Sequence, residues 1–187
     1  MEKFKLFMLL LGCKPEGRHT EQHDVFFSIG TCLSDLRHEI LNFWPETNGK
    51  IHIDAWREVN YIDGHEVVIT SRCEDTLEKE SATLFFVNLG GYKELEFDEF
   101  HYKVLIGAGS MAEAIKLAKA TTFYRHTGFK GAPSHIDDKY GIDVDDALVL
   151  QDILPMSIRE KYSIMLMPGV YDAHDEVNLG YLKIENI

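Results

Sequence analysis

Apolar residues fall along this chain in two rhythms. From Phe4 to Leu11 they form a nearly unbroken short run, as they do again from Thr83 to Leu89, and both runs predict buried strands. Second strands follow over His23–Ser28 and His101–Ile106, where Phe26-Phe27 and Val104-Leu105 suit a pleated, buried surface. Lys14-Pro15-Glu16-Gly17 reverses the chain between the first two strands. The rhythm then changes to the helical period. Met111, Ala114, Ile115 and Ala118 lie on one helix face, behind a Ser110/Glu113 capping box. Leu33, Leu36, Ile40 and Phe43 play the same part earlier, and Pro45 stops that helix. A third strand carries His52-Ile53-Asp54, and Asp63-Gly64 turns it into a fourth, Glu66–Ile69. Arg72–Ser81 is polar and reads as a joint. Asp146–Lys161 fits neither rhythm. Tyr162–Met167 and Leu179–Ile184 read as a closing hairpin.

The pattern repeats. Slid by 78 residues, Leu6-Phe7 meets Leu84-Phe85, Leu11-Gly12 meets Leu89-Gly90, Glu21 meets Glu99 and His23 meets His101. With a short insertion, His52-Ile53-Asp54 then meets His135-Ile136-Asp137. Order and chemistry, more than identity, argue for duplication. The expected fold is α+β: two tandem strand–strand–helix–strand–strand modules, β-grasp-like or ferredoxin-like, related by pseudo-two-fold symmetry, plus a C-terminal β-hairpin. The modules span 1–79 and 80–160. Residues 161–187 form the hairpin, a partial third repeat packed with the others as one globular unit.

Composition narrows the partners. Against 31 acidic residues stand only 19 Lys and Arg, a formal net charge of -12. Nucleic acid and anionic membranes repel such a chain. Three cysteines without CxxC spacing argue against a disulfide framework and for a reducing, cytoplasmic setting. The short run Phe7–Leu11 lacks the length and cleavage site of a signal peptide.

One set of polar residues recurs. Glu21-x-His23, His52-x-Asp54, Glu99-x-His101 and His135-x-Asp137 share one spacing. On a strand, i and i+2 face the same way about 7 Å apart, so each pair presents an imidazole with a carboxylate. Such a set suits a divalent metal such as zinc, manganese or iron, or acid–base work. It equally suits structural hydrogen bonds, in which a carboxylate fixes the imidazole tautomer. Val104–Met111, with Gly107 and Gly109, has the look of a dinucleotide turn. But Ala112 stands where the third glycine belongs, so a tight strand-to-helix turn is the better reading.

In Leu6-Phe7, Leu11-Gly12, Glu21-x-His23, His52-Ile53-Asp54 and Asp63-Gly64, both halves resemble a bacterial family, domain of unknown function 1543, which occurs in one or two copies per chain. The resemblance implies the duplication but no activity. Asp145-Asp146 departs from it where the first half has Asp63-Gly64. The functional expectation is a non-catalytic binding or regulatory module. It is self-associating, takes a small-molecule or protein ligand and requires no cofactor. The alternative is a metal-dependent or acid–base enzyme working through the paired motifs.

Overall fold

A computed structural model describes residues 3–72, 82–92, 95–120, 143–169 and 173–187. The chain divides into two compact units, one of residues 1–77 with 153–187 and one of 78–152.

In the first unit, β1 (Lys5–Cys13) hairpins with β2 (Gln22–Gly30). A 3-10 turn (Leu33–Leu36) leads into α1 (Arg37–Phe43), which ends at Trp44 just before Pro45. The chain then crosses to β3 (His52–Val59) on the other side of β1. Strand order is β10-β3-β1-β2, where β10 is Asn178–Lys183. A second sheet has order β4-β5-β9, from β4 (Tyr61–Ile62), β5 (His65–Ser71) and β9 (Tyr162–Pro168). Asp63 (φ 48°) and Gly64 (φ 77°) make the β4–β5 turn, the left-handed pair that a two-residue hairpin needs.

The second unit has β6 (Thr83–Tyr92), β7 (Glu99–Ala108), α2 (Met111–Lys119) and β8 (Asp143–Val149), with sheet order β7-β6-β8. The Ser110 Oγ accepts the Glu113 amide at 3.3 Å, and Glu113 Oε2 accepts the Gly109 amide at 2.9 Å, so the capping box forms as spaced. The glycines before α2 therefore serve a strand-to-helix turn.

Alternation places the cores. Phe7, Leu9 and Leu11 of β1 join Phe26, Ile53, Leu36, Ile40 and Ile184 on one face of the first sheet. Phe85, Val87 and Leu89 join Ile106, Ala114 and Ala118 in the second unit. Each large aliphatic side chain buried this way contributes about 1.5–3 kcal/mol. Both helices cover one face of their sheets, leaving Gly12 and Gly90 on the opposite face by strand period.

The fold is α+β, with three antiparallel sheets and few, short helices. Among the described residues the sheet pairings are antiparallel. The chain crosses from β2 through α1 to β3, with β1 between the two strands. One expectation needs correction. β9 and β10 do not form a hairpin; β9 pairs with β5 and β10 with β3, each satisfying an edge whose backbone groups lacked partners. Asp145-Asp146, which departs from the Asp63-Gly64 turn pattern, lies inside β8. Asp146–Lys161 contributes the end of β8 and two helical turns, Leu150–Ile153 and Met156–Arg159. The expected joint over 73–81, with His135 and Asp137, lies outside the described residues.

Candidate functional site

Gly12 is the point where the polar pairs of the first unit meet. It lies in the middle strand β1, opposite His23 of β2 on one side and His52 of β3 on the other. The register of β1 on β3 slips between Leu10, opposite Ala55, and Leu11, opposite Ile53. Asp54 is the extra residue of that β-bulge, and a bulge of this kind re-aims a side chain. Glu21 stands just before β2.

The result is a cluster over a hole. A Cβ built on Gly12 would strike the Asp54 carboxylate and lie 2.5 Å from His52 Nε2. Only glycine leaves that space empty. His52 Nε2 is 3.0 Å from Glu21 Oε1 and 3.3 Å from Asp54 Oδ1. His23 Nε2 is 3.2 Å from Asp54 Oδ2 and 3.8 Å from Glu21 Oε2. The His52 side chain is only 9% exposed, while those of His23 and Glu21 are 42% and 43% exposed. Behind His52 stands Tyr181 of β10, its ring centroid 4.3 Å away at 34°.

These short separations are not hydrogen bonds. His52 Nε2 and Asp54 Oδ2 are both buried and lack a hydrogen-bonded partner. An unsatisfied buried polar atom costs about 1–3 kcal/mol. As the side chains stand, no group of three or more His, Cys, Asp or Glu among the described residues forms a ready metal cage. Next to Gly12, the Cys13 thiol is pushed up from its usual pKa by burial and then by the Glu21 charge, with Lys50 opposing.

The second unit is built on the same frame. Gly90 of β6 lies opposite His101 of β7 and Asp143 of β8. A register slip between Asn88 and Leu89 makes Asp145 the extra residue. A Cβ on Gly90 would lie 2.5 Å from Asp145 Oδ2. His101 Nε2 is 3.3 Å from Asp145 Oδ2 and 4.0 Å from Glu99 Oε2.

Of the eight residues singled out in the sequence, Glu21, His23, His52 and Asp54 come together, and Glu99 and His101 flank the second glycine. Asp143-x-Asp145 takes the strand position that sequence matching assigns to His135-x-Asp137. Sequence reasoning missed Gly12 and Gly90 as cradles, Asp145 as the re-aimed acid, and Tyr181. A glycine inside an otherwise apolar strand was the available signal for the cradles.

Among the described residues, no helix is long and apolar enough to cross a membrane. Residues 18–69 match a family described as Domain of Unknown Function (DUF1543), a stretch that contains all four clustered side chains. No curated protein matches the chain. A crystal structure of a protein Il1583 from Idiomarina loihiensis has a similar fold, with a TM-score of 0.60 at 19% identity over 97% of each chain.

Proposed function

With residues 18–69 a segment of the DUF1543 family, we propose that it is a non-catalytic module that binds a divalent transition metal through Glu21, His23, His52 and Asp54. The observation that carries this reading is the buried His52 Nε2, close to two carboxylates and hydrogen-bonded to neither. A tetrahedral ion with bonds of about 2.0–2.1 Å sets its donors about 3.3 Å apart. The donor separations here run from 3.0 to 3.8 Å. No cage is closed as the side chains stand. Glu21 and His23 are exposed arms, free of the packing that holds His52, and closing the cage calls on them to move. Two nitrogens and two oxygens suit zinc best among the metals expected from sequence. Four protein donors leave no open position for a substrate, which supports binding rather than catalysis.

We read residues 78–152 as a second copy of the module in which the second imidazole is replaced. Support comes from the shared sheet order, the bulge and the glycine opposite a histidine. A cytoplasmic setting, on the strength of cysteine content, and self-association remain part of the proposal.

The test is a zinc titration of chelator-stripped protein. Wild type should take up zinc, and melt lower once chelator removes it. Outer-shell changes alone cost about 10–100-fold in metal affinity, so His52→Ala should lose more. No zinc, manganese or iron uptake by wild type, or equal uptake by His52→Ala, overturns the reading.

A further inference from the structure

The hairpin end of the first unit holds a cavity of about 490 Å³, lined by Arg57, Tyr61, Asp63, Gly64, His174 and Asp175 among others. Its volume falls within the usual range for small-molecule sites. Arg57 stands in β3 opposite Met8. Arg57 is half-buried, and among the described residues the one hydrogen bond its guanidinium makes is from Nη2 to the Met8 sulfur at 3.5 Å. A thioether is a weak acceptor, and a cation drawn out of water needs an anionic partner. Burial pushes the Arg57 pKa down, with the Asp175 charge opposing.

Part of the acceptor capacity of Asp175 is taken by the backbone beside it. Its carboxylate accepts the Asn60 amide at 3.0 Å, the Asn60 side-chain amide at 3.1 Å and the Tyr61 amide at 3.4 Å. That anchors residue 175 to the start of β4 without giving Arg57 a hydrogen-bonded counter-ion. The lining therefore carries both signs: a guanidinium with open donors, and the carboxylates Asp63 and Asp175. A simple anion would gain Arg57 and suffer both acids. A simple cation would meet the reverse. A small molecule bearing both charges satisfies each.

We propose that this cavity binds a zwitterion the size of a free amino acid, its carboxylate on the Arg57 fork and its ammonium toward the acidic side chains. A planar carboxylate takes two parallel N–H bonds from a guanidinium, which an ammonium side chain does not reproduce. The proposal does not depend on metal at the Gly12 cluster.

The experiment is calorimetric titration of the full chain with the standard free L-amino acids, each alongside its amidated and N-acetylated forms. At least one free amino acid should bind, and blocking either end should weaken it at least about tenfold. Arg57→Gln should abolish binding and Arg57→Lys weaken it about tenfold, with circular dichroism and melting confirming the folded state. Should Arg57→Gln fail to fold, Arg57→Lys decides. The proposal is overturned if no free amino acid binds, if the blocked forms bind equally, or if Arg57→Lys binds undiminished. Zinc uptake without amino-acid binding would sink this inference and leave the metal reading standing.

Discussion

Gly12 and Gly90 hold the same place in two three-strand frames, each opposite a histidine in one neighbour and beside a bulged aspartate in the other. The surroundings differ across from the glycine. Where β3 has His52, with its side chain nine-tenths buried beneath Tyr181, β8 has Asp143. In the first unit the packed imidazole draws the carboxylates close without hydrogen-bonding them. In the second, the acid that would meet a Cβ, Asp145, is one-third exposed and accepts the Asn88 side-chain amide at 3.5 Å. A glycine cradle is thus a necessary part of the cluster. The identity of the residue across from it decides whether the cradle is packed tight or open.

The largest expected effect comes from filling the two cradles. Gly12→Ala sets a methyl against His52, which is wedged by Tyr181, so overpacking of about 1–3 kcal/mol applies. At roughly 2–4 °C per kcal/mol, it should melt several degrees lower and lose zinc uptake. Gly90→Ala meets only the end of an exposed aspartate and should melt within about 2 °C of wild type. Equal melting temperatures for the two variants would abolish the contrast between the units.

Asp143→His sharpens it. This substitution gives β8 the imidazole that β3 carries, and should add a zinc equivalent. If zinc stoichiometry stays as in wild type, register position is not what separates the units.

The smallest effect lies in the helix starts. Asp35 Oδ2 accepts the Thr31 hydroxyl at 2.7 Å and the Thr31 amide at 2.8 Å, and these bonds hold its carboxyl below the usual range. Asp35→Asn should cost under about 1 kcal/mol near neutral pH, since the site is solvent-screened. The depressed value means the ionised form stabilises the fold. The deficit is therefore complete above the ordinary carboxylate pKa of about 4, and fades as pH falls through the lower value of Asp35. Ser110→Ala should cost a similar amount in α2 without that acid dependence. Melting curves across pH 2–7 would check both.

Much of this could be read in the sequence. Apolar runs located β1, β2, β6 and β7, and helical spacing with the Ser110/Glu113 box located α2. Asp63-Gly64 fixed the short hairpin, because its left-handed backbone demands such residues. Pairing over distance was less readable. The letters His-Ile-Asp recur at 135–137, but the strand beside Gly90 begins at Asp143. With Asp143, Asp145 and Asp146, β8 is too acidic to stand out by hydropathy. Register slips carry no local signal either, so neither Asp54 nor Asp145 announced itself as a re-aimed side chain. The ends of β9 and β10 were visible as strands, but their partners lay far back in the chain, where open edges rather than short turns decide pairing.

That distant pairing has a kinetic consequence. Residues 78–152 are contiguous and contain every strand of their sheet, so they have all their partners as soon as they leave the ribosome. The first unit has to wait. Its β3 edge is not covered until β10 is made, and β5 lacks β9 until nearly the same moment. Contacts so far apart in sequence form slowly. During synthesis the second-written unit should therefore complete before the first, with β3 and His52 the last parts of the molecule to settle.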